Sequence, residues 1–153
     1  WRTTMAKKTF QGRPVVGGKL NGKATVSKQP FNTTASYMEN VWAGNTESAP
    51  CTDQDNRDLF KKDLSGIILC TSQCIGSSMG GGCFMAVAGL ELAPKAMLFS
   101  RHIDSVTASG VLMADIWQKK PIICVDLLGD DFLEAVKSGD PITVKDDGTG
   151  EVG

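Results

Sequence analysis

Two apolar segments, Gly66-Ile67-Ile68-Leu69-Cys70 and the stretch from Cys83 to Leu92, flank the run Cys74-Ile75-Gly76-Ser77-Ser78-Met79-Gly80-Gly81-Gly82-Cys83. The first segment is short and unbroken, as in a strand buried on both faces, and the second has the length and texture of a helix. A glycine-rich turn carrying two hydroxyls therefore joins a buried strand to a helix, which commits this part of the chain to an α/β unit. Glycines let the backbone come close to a ligand, and the first turn of the helix presents unpaired N–H groups and the positive dipole end to an anion. A serine in that setting is either a capping residue or a reacting group, and the local pattern does not choose between them.

The same texture continues downstream. Ala96-Met97-Leu98-Phe99 predicts a second strand, Asp104 or Ser105 caps a helix reaching about Gln118, and Pro121 to Asp126 opens a third strand. Asp131 to Ser138 reads as a short helix closed by Gly139, and Ile142-Thr143-Val144 as a final strand before the turn Asp146-Asp147-Gly148. Strand, helix, strand, helix, strand implies parallel pairing. Upstream, Val15 to Gly18 and Ala24 to Ser27 are β-prone, with Asn21-Gly22 a hairpin signal between them. Residues Pro30 to Leu64, rich in Asn, Thr, Ser and Asp, read as a long functional loop with a short strand near Val41. The expected fold class is α+β: a β-rich N-terminal half packed with a small parallel βαβαβ layer.

With 153 residues, 41% of them hydrophobic, the chain supports one domain. Met5 reads as a natural start, so the expected domain is 5–153 and Trp1 to Thr4 are an expression remnant. A net charge of -1 gives no basic field for nucleic acid or an anionic membrane, and no stretch is long and apolar enough to span a bilayer. Charges up to Lys28 are all basic whereas acids dominate from Asp126 onward, which suggests two ends lying side by side, or else a charged docking face. Five cysteines, an odd number, sit mostly in apolar runs; Cys70, Cys83 and Cys124 read as buried hydrophobes, and the compartment as reducing, the cytoplasm. No spacing suggests a self-contained metal site.

In a parallel layer, ligands bind at the carboxyl ends of the strands. Ser72 to Gly82, Ser100-Arg101-His102 and Asp126 to Gly129 fall there, so Ser77, Ser78, Arg101 and His102 are candidates for one crevice. His102 is otherwise a loop or capping residue, and Arg101 otherwise a solvated or ion-paired surface group. The stripe Val106, Val111, Leu112, Ile116 reads as core.

Taken in order, the glycine-serine loop, the stretch Ala93 to Ala96, the helix containing Ser109-Gly110, the strand Lys120 to Ile122 and the ending from Gly139-Asp140 to Gly148 resemble the small or swivel domain of the aconitase X family. That family of hydro-lyases includes phosphomevalonate dehydratase and cis-3-hydroxy-L-proline dehydratase. The resemblance implies a swivelling β/β/α fold with a barrel-like β part, and a larger partner subunit holding most ligands of an iron-sulfur cluster or iron, none bound by this chain alone. It also implies a small hydroxy acid as substrate. The Gly-Ser pair maps onto Gly76 and Ser77, so Ser77 is the implied base and Ser78 the second choice; Gly76, Gly80 and Gly81 of the loop, with Arg101 and His102 at the strand ends, are the candidate substrate contacts. Dehydration needs a proton taken from beside a carboxylate while a Lewis acid holds the departing hydroxyl.

The chain departs from the family pattern in two places. Ile75 stands where many relatives carry arginine, and Pro30-Phe31-Asn32-Thr33-Thr34 replaces a Ser-Phe-Trp-Gly-Gly segment. Cys51, in this divergent segment, is either near a partner's metal centre or an ordinary free thiol. Two functions follow: the small subunit of a two-chain dehydratase, inactive alone, or a non-catalytic binding or assembly module with a swivel fold. A stand-alone phosphate-binding enzyme has only the glycine loop in its favour and lacks the P-loop lysine spacing. Trp42, Phe31 and Met79 are the expected exposed docking residues.

Overall fold

The computed structural model describes residues 6–153, so the expected remnant Trp1 to Thr4 and the start at Met5 lie outside the described residues. In chain order the elements are β1 (Lys8–Gln11), β2 (Arg13–Val16), β3 (Leu20–Val26), β4 (Phe31–Asn32), α1 (Thr33–Trp42), β5 (Ile68–Thr71), β6 (Cys74–Ile75), α2 (Gly80–Gly89), β7 (Ala96–Phe99), α3 (Ser105–Ile116), β8 (Ile123–Asp126), α4 (Asp130–Ala135), β9 (Pro141–Val144) and β10 (Thr149–Val152). Eight strands form one sheet in the order β1-β10-β9-β3-β5-β7-β8-β2, while β4 and β6 pair separately in parallel. Strands β3, β5, β7 and β8 are parallel, and β2, β9, β10 and β1 extend them in antiparallel register.

The edge strands β1 and β2 are joined by Gly12 alone, so the two margins of the sheet meet and the sheet is nearly a closed barrel. The Gly12 amide donates to the Gly148 carbonyl at 3.0 Å, carrying the β1–β10 ladder up to that junction. A Cβ on Gly12 would lie 2.5 Å from Val125 Cγ1 and 2.7 Å from the Asp126 carbonyl oxygen, so only glycine lets the seam approach this closely. The expected α+β architecture is present, with the β-rich part and the parallel layer fused into one continuous sheet.

The parallel strands alternate between two cores. Ile68, Cys70, Ala96 and Leu98 face the barrel interior with Val26, Ile142, Val144 and Phe132. Leu69, Met97, Phe99 and Cys124 face the helices with Phe84, Val87 and Val111. Burial on both faces explains why these strands read as unbroken apolar runs. Helix α4 places Phe132 in the barrel, edge-on to Phe10 with centroids 5.4 Å apart.

Four expectations need correction. Asn21-Gly22 is not a turn but lies within β3, which pairs with β9 and β5 and not with β2. A Cβ on Gly22 would be 2.8 Å from Ile68 Cδ1, so this glycine serves close packing. The segment after Pro30 opens with the two-residue strand β4 and passes at once into helix α1, which occupies the position expected for a strand near Val41. The buried face of α1 is Thr33, Ser36, Tyr37 and Asn40, a helical period written in polar residues, and Asn32 Oδ1 caps it by accepting from the Ala35 amide at 3.1 Å. A further strand, β10, follows β9 and brings the C-terminal end beside β1, so the basic and acidic ends do lie side by side. On α3, Val111 is buried, whereas Leu112 and Ile116 are exposed. That helix buries Thr107, Gly110, Val111 and Ala114 instead, because its close crossing with α2 admits only small side chains.

Of the three expected docking residues, Trp42 is 77% and Met79 56% exposed, but Phe31 is fully buried against Tyr37. All five cysteines are free and buried, Cys51 included. Among the described residues no helix is long and apolar enough to cross a membrane.

Candidate functional site

Strand β6 ends at Ile75, and Gly76 turns the chain toward α2 with φ of +108°. A Cβ there would lie 2.4 Å from Asn32 Oδ1, the oxygen that caps α1. Glycine is required both by the dihedral and by the neighbour, and the result is that Ser77 projects at the head of α2. Its Oγ accepts from the Met79 amide at 3.1 Å and its carbonyl accepts from the Gly80 amide at 2.9 Å. Ser77 and Ser78 are both exposed. Of the first-turn N–H groups of α2, that of Gly80 is taken by the Ser77 carbonyl, while those of Gly81 and Gly82 have no intrahelical partner at the positive end of the helix.

Ser77 lies on the wall of a cavity of about 220 Å³ lined by Thr33, Cys74, Gly76, Gly80, Asp104 and Thr107, with Ile75 and Val106 at its sides. Four elements meet there: the start of α1, the β6 turn, the start of α2 and the start of α3. Asp104 is the N-cap of α3, its Oδ2 accepting from the Thr107 amide at 2.9 Å, while its Oδ1 is buried with no hydrogen-bond partner among the described residues. Cys74 is buried, and burial pushes its thiol up to about 12, so it stands there as a neutral thiol.

The sequence-derived candidates separate into groups. Gly76, Ser77 and Gly80 share this cavity. Gly81 is buried where α2 crosses α3; a Cβ on it would lie 2.7 Å from the Val106 carbonyl oxygen. Arg101 and His102 follow β7 and do not line the cavity. His102 belongs instead to a cluster with Arg13 and Asp126. The Arg13 guanidinium grips the fully buried Asp126 with two hydrogen bonds, Nε to Oδ1 at 2.9 Å and Nη2 to Oδ2 at 2.6 Å, and the Ile103 amide adds a third at 2.8 Å. His102 Nδ1 is 2.5 Å from the Ile103 carbonyl, which can only accept. The ring therefore carries its hydrogen on Nδ1, and Nε2 accepts from Arg13 Nη2 at 3.3 Å. This cluster pins β2 to β8. Sequence reasoning did not connect Asp104, Thr107 and Thr33 with the serine loop. The available signal was the position of Asp104, a cap two residues after His102 at the carboxyl end of β7.

Among the described residues no group of three or more His, Cys, Asp or Glu side chains is placed to hold a metal ion. Burial raises the thiols of Cys70 to about 12 and Cys83 to about 11, away from the thiolate form that metals bind. The described residues do not form an iron site of their own.

Residues 9–152 match the family model of the aconitase X swivel domain. The chain is 29% identical to the phosphomevalonate dehydratase small subunit of Thermococcus onnurineus over 144 residues, covering 94% of this chain and 97% of the relative. It is 31% identical to the protein of the same name from Thermococcus gammatolerans over 107 residues, 70% of this chain and 75% of the relative. The crystal structure of Thermococcus kodakaraensis aconitase X in its holo-form superposes with a TM-score of 0.78 at 25% identity, covering 95% of this chain and 98% of that one.

Proposed function

Because the chain belongs to the aconitase X swivel-domain family, we propose that it is the small subunit of a two-chain dehydratase acting on a hydroxylated carboxylic acid, with phosphomevalonate the first substrate to test. The observation that carries this reading is that Gly76 and Ser77 line one cavity with Asp104 and Thr107, just ahead of the N-terminal turn of α2. In it Ser77 removes the proton beside the substrate carboxylate. The bond between Ser77 Oγ and the Met79 amide, together with the helix end, stabilises negative charge on the serine oxygen as the proton moves.

The iron-sulfur cluster or iron implied by the family belongs, on this reading, to the larger subunit. The isolated chain is then folded and inactive, and the exposed Met79 and Trp42 suit a surface that docks on that partner. One observation favours a second reading, an assembly module without chemistry: Ile75, beside Ser77, is 47% exposed where an anion-binding side chain would help.

Reconstitution with the cognate larger subunit under anaerobic conditions separates the two readings. Ser77→Ala is expected to assemble normally and to lower kcat by about 100-fold or more. A Ser77→Ala complex as active as wild type would remove Ser77 as the base. A wild-type complex that forms but turns over no hydroxy acid favours the assembly module.

A further inference from the structure

The cavity beside Ser77 contains a carboxylate with an unmet need. Asp104 lines the same cavity as Ser77, and its Oδ1 is buried without a donor among the described residues, although its Oδ2 is occupied by the cap of α3. A buried acceptor left unpaired is costly, and capping does not explain it, since a cap uses one oxygen and serine or asparagine serves equally well. Ser77 is exposed, its oxygen accepts from the Met79 amide, and among the described residues no acceptor holds its hydroxyl hydrogen, which leaves that hydrogen available to an acceptor across the cavity. Both groups are anchored at helix starts packed against each other, α2 on α3, where Gly81 and Gly110 bring the backbones together. The terminal torsion of an aspartate is soft, so the carboxylate can turn an oxygen toward the cavity without moving the backbone, and the cavity has room for a bridging water.

We propose that Asp104 is the positioning residue that takes the hydroxyl proton of Ser77, directly or through one water, and so makes the serine a base; this rests on the dehydratase reading above. As the Ser77 O–H bond breaks, its proton passes to the Asp104 carboxylate, and the serine oxygen forms a new O–H bond with the proton leaving the substrate carbon. The electron pair of that C–H bond becomes the second bond of the alkene, and the C–O bond of the departing hydroxyl breaks with its pair on oxygen. Asp104 gives up its proton as the hydroxide leaves as water, so the net change is substrate to alkene plus water.

The test uses the reconstituted two-subunit complex with phosphomevalonate, comparing wild type, Ser77→Ala, Asp104→Ser and Asp104→Asn. Both Asp104 variants keep an oxygen for the Thr107 amide, so the cap survives while the carboxylate is lost. The expected result is a fall in kcat of about 100-fold or more with KM held within about threefold, at unchanged melting temperature and assembly. If either folded variant keeps kcat within about threefold of wild type while Ser77→Ala is inactive, Asp104 is a helix cap only and the proposal is overturned, the Ser77 reading standing. Loss of melting temperature in both variants likewise assigns Asp104 to the cap and overturns it. Wild-type rates in Ser77→Ala, or no turnover by the wild-type complex, overturn the reading beneath it and this one together.

Discussion

Single residues in this protein are chosen by what lies next to them in space. Gly76 is glycine because its φ is positive and because the oxygen capping a different helix occupies the place of its side chain. Asp63 shows the same principle for charge. Its Oδ1 accepts from the Ala49 amide at 2.9 Å, from the Ser65 amide at 3.0 Å and from the Ser65 hydroxyl at 2.8 Å, closing the lobe that follows α1. Desolvation alone would raise its pKa, but these bonds outweigh it and hold the carboxyl below its ordinary value. A group whose folded pKa is lowered adds stability above its unfolded pKa, and that contribution fades as pH falls through the folded value. Thermal melting followed from neutral to acidic pH is expected to show a shallower acid limb in Asp63→Asn than in wild type. Identical limbs would place acid sensitivity on other carboxylates.

At the scale of elements, the decisive contact is the crossing of α2 and α3, which holds the serine loop against the Asp104 cap. A Cβ on Gly110 would lie 2.6 Å from the Gly81 carbonyl oxygen and 2.7 Å from its Cα. These are backbone atoms and cannot step aside. Gly110→Ala should therefore force the helices apart and cost about 1–3 kcal/mol, measurable by chemical denaturation; full retention of stability would refute the close-crossing account. The same crossing explains why Leu112 and Ile116 stay outside although their spacing suits a core face. Helix α1 was illegible for a related reason. Its buried residues, apart from Tyr37, which packs on Phe31 and Phe84, are Thr33, Ser36 and Asn40, and hydrophobic periodicity does not register polar residues that tertiary structure buries, such as Asn40, which donates to the Pro50 carbonyl.

Over the whole molecule, closure of the sheet depends on contacts between residues more than a hundred positions apart, such as Arg13 with Asp126 and Gly12 with Gly148. Phe132 fills the barrel from α4 and is fully buried. Phe132→Ala is expected to cost about 3–5 kcal/mol in urea unfolding, and a loss below about 1 kcal/mol would mean the barrel interior refills the space. The parallel strands β5, β7 and β8, the helices between them and the glycine-serine turn were all legible in the sequence, because each is dictated by a local apolar pattern or by a residue with special backbone freedom. The resemblance to the aconitase X swivel domain was legible for the same reason, since its markers are short runs in a fixed order. Tertiary structure alone decided that Asn21-Gly22 runs through a strand, that the chain ends pair as β1 and β10, that His102 joins Arg13 and Asp126, and that Asp104 shares a cavity with Ser77. Each of these depends on distant segments meeting, and a spacing rule sees only neighbours along the chain.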